Sequence, residues 1–163
     1  MESEVGKGTT FTIILPFHRA GDQAAAKEAV EYKDSLHGMR VLLVEDNVLN
    51  LEITEYLLTH EGCSVQTAAN GQEAVRIFEQ SRPFYFDTIL MDVMMPVMDG
   101  YAATRAIRAL DRPDAGKVHI VAMTANAFAE DIAKCKEAGM DAHLPKPFKA
   151  DQLVAAIAAQ ANK

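Results

Sequence analysis

The chain has 163 residues, of which 49% are hydrophobic and 24% charged, and it carries a formal net charge of -7. That length provides for one domain of ordinary size plus a short appendage, and not for two full domains. The acidic balance argues against a non-specific grip on nucleic acid, and no apolar run approaches the roughly 20 residues of a membrane-spanning helix, so direct membrane contact is not expected either.

The amino-terminal Met1-Glu2-Ser3-Glu4 is acidic where a signal peptide would be basic. Within residues 1–17, Gly6-Lys7-Gly8 precedes Thr9-Thr10-Phe11-Thr12-Ile13-Ile14-Leu15, a strand signal closed by Pro16. Residues 18–38 are polar and Ala-rich and read as a linker, helical from about Asp22. From Met39 the pattern becomes regular. Arg40-Val41-Leu42-Leu43-Val44 is a continuous apolar run ending at acidic residues, as a strand buried on both faces would. A helix ending at Glu61-Gly62 follows, then an alternating strand, Cys63 to Ala68, and a helix opened by Asn70-Gly71. Asp87 to Met91 is a third strand ending at Asp92, and Asp99-Gly100 opens a helix through Leu110. Val118 to Met123 is a fourth strand, followed by a helix from about Ala127 to Ala138; Met140 to Leu144 is a fifth, followed by a last helix from Lys149 to Ala159. Strands alternating with helices in this way imply right-handed crossovers and a doubly wound α/β parallel sheet, with its ligands at the carboxyl ends of the strands. Cys63 and Cys135 lie inside periodic apolar segments, far from any metal-ligand spacing, and read as buried thiols in a reducing, cytoplasmic compartment.

The residues just past successive strands are Glu45 and Asp46, Asp92, Thr124 and Lys146, while the second strand contributes nothing charged. Singly, each has a plainer explanation. An Asp or Thr at a strand end commonly caps the next helix, Glu45-Asp46-Asn47 has the makings of a capping segment, and a lone lysine is usually solvated. Together on one rim they make a set that repels itself unless a cation joins it. Its oxygen-only donors suit a hard divalent ion, magnesium before calcium or zinc, with Asp46 and Asp92 as direct ligands and Glu45 acting through water. With Lys146 and the Thr124 hydroxyl added, the set is one that can receive a tetrahedral dianion on the Asp92 carboxylate.

These residues resemble the receiver domain of two-component response regulators. The resemblance covers residues 39–161 and runs through Val44-Glu45-Asp46-Asn47, Ala69-Asn70-Gly71, Leu90-Met91-Asp92-Val93-Met94-Met95-Pro96-Val97-Met98-Asp99-Gly100, Met123-Thr124-Ala125 and Lys146-Pro147-Phe148. It implies a flavodoxin-like fold, five parallel strands in the order 2-1-3-4-5, with phosphorylation at Asp92. It further implies a Mg2+ site from Asp46, Asp92 and the backbone carbonyl of Met94 with Glu45 assisting, and Thr124 and Lys146 holding the phosphoryl oxygens. A cis bond is implied before Pro147. The switch position that is aromatic in the simplest pattern falls on His143, which puts a rotating aromatic coupled to Thr124 in doubt. Asn47, Asn50, Met94-Met95-Pro96, Thr124-Ala125-Asn126-Ala127 and Cys135 with Gly139-Met140-Asp141 resemble receivers fused to hybrid sensor histidine kinases. Ser3 to Pro16 is similar to the last strands of a histidine-kinase ATP-binding domain, which makes residues 1–17 a remnant of that domain.

The resemblance implies a phosphorelay in which a histidine kinase, in the same parent chain or separate, donates to Asp92 and a histidine phosphotransfer protein receives the group. Without a phosphorylatable His segment or nucleotide-binding glycine boxes, the chain is expected to catalyse only its own phosphorylation and slow dephosphorylation. The parent would be a protein-histidine kinase that can be anchored in the inner membrane. A regulatory interaction module acting on the attached kinase is an alternative. An aspartyl-nucleophile phosphatase is disfavoured, because Met94 stands where such an enzyme needs a second acid. Severed from its parent sheet, the strand at residues 9–15 is expected to be disordered or to pair with another chain.

Overall fold

The computed structural model describes residues 2–4, 8–10, 36–125 and 128–159. The chain divides into two compact units, residues 1–31 and 32–163. In the first, β1 (Glu2–Glu4) and β2 (Gly8–Thr10) pair antiparallel, with Glu2 opposite Thr10. The expected strand therefore starts at Gly8 and has a partner within its own chain, which corrects the expectation of disorder or pairing with another chain for Thr9 and Thr10. The rest of that segment and the predicted linker helix lie outside the described residues.

The second unit alternates strand and helix throughout: β3 (Arg40–Val44), α1 (Val48–His60), β4 (Ser64–Ala68), α2 (Gly71–Gln80), β5 (Thr88–Asp92), α3 (Gly100–Arg108), β6 (His119–Thr124), α4 (Ala129–Ala138), β7 (Ala142–Pro145) and α5 (Ala150–Ala158). Its strands are all parallel, in the spatial order β4-β3-β5-β6-β7, which is the expected 2-1-3-4-5. The two-residue period of each strand splits the apolar runs between two layers. Leu42, Val44, Ile89, Met91, Ile120 and Ala122 face one side, against Phe78, Ala103, Ile107 and Cys135 of α2, α3 and α4. Val41, Leu43, Leu90, Val121 and Met123 face the other, against Leu58 of α1 and Leu153, Val154 and Ile157 of α5. Central β5 is buried at every residue, whereas edge strand β4 exposes Ser64 and Gln66, which is why only β4 alternates in sequence.

Local chemistry sets the element ends. Asn47, Asn70 and Asp99 accept from the backbone N–H three residues on and so cap α1, α2 and α3. Gly139 ends α4 in the left-handed region at φ 96°, and Met140 N–H then donates back to the Cys135 carbonyl. That bond ties Met140 to the helix cap, so β7 begins at Ala142, two residues later than the sequence suggests.

The loop between α3 and β6 is held by Arg112, whose guanidinium pairs with buried Asp114 at 2.7 Å, lies over the Phe78 ring, and donates to the carbonyls of Phe78, Glu79, Ser81 and Arg82 around the end of α2. Hydrogen bonding to Arg112 outweighs desolvation and holds the Asp114 carboxyl below its ordinary value. Arg112→Ala is expected to cost about 3 kcal/mol, since it leaves a buried charge unpaired and several carbonyls without a donor. Because the folded-state pKa of Asp114 is depressed, its contribution is present above the unfolded value of 3.8 and disappears as pH falls through the folded one. Urea midpoints against pH should therefore show wild type and variant converging in acid, and a constant gap would refute the pairing.

Candidate functional site

The carboxyl ends of β3, β5, β6 and β7 meet on one rim because the strands are parallel and neighbours in register. Beyond β3, Glu45 is 2% exposed and Asp46 is exposed; Asp92, at the end of β5, is 7% exposed, and Thr124, at the end of β6, is 5% exposed. One carboxylate oxygen from each of Glu45, Asp46 and Asp92 lies within 4.8 Å of the others. Lys146, just past β7, brings its Nζ to 2.5 Å from Glu45 Oε2 and 2.7 Å from Asp92 Oδ2. Its backbone N–H donates to the Thr124 carbonyl at 2.7 Å, and the Lys146–Pro147 bond is cis. Glu45 Oε1 accepts from Asn50 Nδ2 at 3.1 Å, and Asp92 Oδ1 accepts from the Met94 N–H at 3.2 Å.

The plainer explanations for these side chains do not match their surroundings. Asn47, not Glu45 or Asp46, caps α1; Asp99, not Asp92, caps α3. Phe128 occupies the N-cap position of α4, so Thr124 does not serve there. Lys146 is mostly buried between two carboxylates rather than solvated. Desolvation by itself lowers its pKa, but the hydrogen bonds to Asp92 and Glu45 and their charges more than offset this, and the net direction is up. The ammonium is thus firmly charged, and it is the cation that lets Glu45 and Asp92 lie close together. An oxygen-only trio beside it, grouped with no imidazole or thiolate among the described residues, is chemically suited to a hard divalent cation.

His143 is exposed on β7, paired in register with Ala122. Asn50 has a bond to the site that its place in the sequence pattern does not disclose. Cys63 and Cys135 are free and buried, and desolvation pushes the Cys63 thiol up to about 11. No helix among the described residues is long and apolar enough to cross a membrane.

The surroundings of the rim are apolar. Val48, Leu49, Ile53 and Tyr56 are exposed on α1, and Met94, Val97 and Phe128 on neighbouring loops. A groove beside Lys146 runs between Ile53, Thr54 and Leu57 of α1 and Ala125, Pro147 and Phe148.

Comparison with known proteins bears on the same rim. The receiver domain of sensor histidine kinase PA1611 from Pseudomonas aeruginosa PAO1, solved with a magnesium ion coordinated in its active-site cleft, is 42% identical, with a TM-score of 0.70 over 77% of this chain and 99% of that one. The peroxide stress-activated histidine kinase mak1 of Schizosaccharomyces pombe is 36% identical over 135 residues, 82% of this chain. Hybrid signal transduction histidine kinase K of Dictyostelium discoideum is 30% identical over 175 residues, 96% of this chain. The chain spans only 8% and 14% of the lengths of these two kinases. The response regulator receiver domain model matches residues 41–158, and the chain belongs to that family, the receivers of two-component signalling.

Proposed function

We propose that Asp92 is the phosphoacceptor of a phosphorelay, receiving its phosphoryl group from a phospho-histidine of a histidine kinase and passing it to a histidine phosphotransfer protein. The observation that carries this reading is the Lys146 ammonium held between Glu45 and Asp92, residues 101 and 54 positions away in sequence. As the P–O bond to the Asp92 carboxylate forms, the P–N bond to the donor breaks and its electron pair returns to the imidazole. Lys146 then exchanges its contact with the Asp92 carboxylate for one with a phosphoryl oxygen, and the Thr124 hydroxyl donates to another. Asp46, Asp92 and the Met94 carbonyl would hold Mg2+, with Glu45 assisting, and the ion would supply positive charge against the phosphoryl oxygens. Solvent-exposed α1 with the adjoining groove is the docking face, its exposed Val48, Leu49, Ile53 and Tyr56 matching an apolar helical partner. His143, at the switch position, is exposed, so transmission relies on Thr124 rather than on a buried aromatic.

The parent is read as a cytoplasmic or membrane-anchored hybrid kinase, with residues 1–17 the end of its ATP-binding domain and 18–38 the linker. The alignment to hybrid kinase K, which takes in 96% of the chain and so reaches past the receiver, supports this. Acetyl phosphate and magnesium are expected to add one phosphate to the wild-type protein and none to an Asp92→Asn variant, as read by intact mass. An unchanged wild-type mass, or a phosphorylated variant, would reject Asp92 as the acceptor.

A further inference from the structure

Glu45 is almost wholly enclosed, and each of its carboxylate oxygens has a named donor: Lys146 Nζ on Oε2 and Asn50 Nδ2 on Oε1. Asn50 stands in the first turn of α1, and that turn is fixed twice, by its own N–H on Asn47 Oδ1 at 3.1 Å and by the Leu51 N–H on the Asn47 carbonyl at 2.9 Å. The carboxamide therefore reaches back five residues from a rigid base to a buried anion. We infer that Asn50 is a positioning residue, which holds the Glu45 carboxylate by one oxygen so that the other stays turned toward Lys146 and the cation site.

Among the described residues Asn50 is the donor that keeps Oε1 from Lys146. Without it the carboxylate can rotate to present both oxygens to the ammonium, and it turns away from the position in which it supports a cation. The side-chain hydrogen bond that Asn50 makes to the rim is the one to Glu45, so its influence on the site is routed through that carboxylate. The inference rests on Glu45 belonging to the cation site.

The test is a double-mutant cycle on the full chain, with the Mg2+ dissociation constant from isothermal titration calorimetry as the readout. Asn50→Leu keeps the side-chain volume and removes the donor. It is expected to weaken Mg2+ binding about fivefold, a modest figure for a bond to a charged group because the exposed donor is partly replaceable by water. In a Glu45→Ala background the same change should alter binding less than about twofold. An equal loss in both backgrounds would overturn the inference, as would wild-type affinity in Asn50→Leu; a fall in melting temperature with binding unchanged would mark Asn50 as structural only and overturn it too. Wild-type protein that takes up no magnesium would overturn the reading of the cation site along with it.

Discussion

Replacing Lys146 with Met is expected to slow phosphorylation of Asp92 about 100-fold while tightening Mg2+ binding about tenfold. The two readouts move in opposite directions because the ammonium plays opposite parts in the two states. In the unphosphorylated protein it sits 2.7 Å from Asp92 Oδ2 and 2.5 Å from Glu45 Oε2, so its charge opposes a divalent cation at the neighbouring carboxylates. Toward an incoming phosphoryl group it is a preorganised positive charge, and removing one such group from a partly buried site typically costs two to three orders of magnitude in rate, on the order of 3–4 kcal/mol. Stability should fall by about 2 kcal/mol near neutral pH, because enclosed Glu45 loses its counter-charge. The folded-state pKa of Lys146 is raised, so its contribution is complete below the unfolded value of 10.5 and is lost as pH rises through the folded one. The gap in urea midpoint between wild type and Lys146→Met should accordingly be flat at neutral pH and close only in strong alkali. Parallel losses of rate and of magnesium affinity would contradict this account.

The second large effect is expected at a residue with no side chain. A Cβ on Gly100 would lie 2.3 Å from the Asp92 carbonyl oxygen and 3.0 Å from the Val93 Cα. Those are backbone atoms of the segment that carries Asp92, and the Gly100 N–H also donates to the Val93 carbonyl at 3.0 Å. No rotamer change relieves such a clash; either α3 or the end of β5 must move. Gly100→Ala should destabilise the protein by about 3 kcal/mol and reduce phosphorylation at Asp92 by more than its effect on folding accounts for. Gly116→Ala is the control, since nothing lies within 4 Å of its added methyl group, and it should stay within about 0.5 kcal/mol of wild type. Equal urea midpoints for Gly100→Ala and Gly116→Ala would show that the close approach is not a constraint.

The apolar runs of β3, β5 and β6, the helices between them and the turn residues at Asn70-Gly71 and Asp99-Gly100 were legible in the amino-acid order, because burial on both faces and helix capping leave local, periodic marks. So was the gathering of charged side chains on one rim. Parallel strands put every carboxyl terminus at one end, so Glu45, Asp46, Asp92, Thr124 and Lys146 could be grouped before any distance was known. Element edges were less legible where a longer-range bond competes, as at Met140, which the α4 cap withholds from β7.

What the tertiary structure alone decided was the partner of each polar side chain. In sequence, Asn47, Asp46 and Glu45 are interchangeable candidates for a cap; only in three dimensions does Asn47 take the helix and leave the two acids to the pocket. Neither Asn50 nor Arg112 shows its partner in the sequence, yet one holds Glu45 and the other clasps the end of α2 from more than 30 residues away. Periodicity records which face a residue turns to the core. A hydrogen bond between distant segments has no period, and it exists only once packing has brought donor and acceptor together.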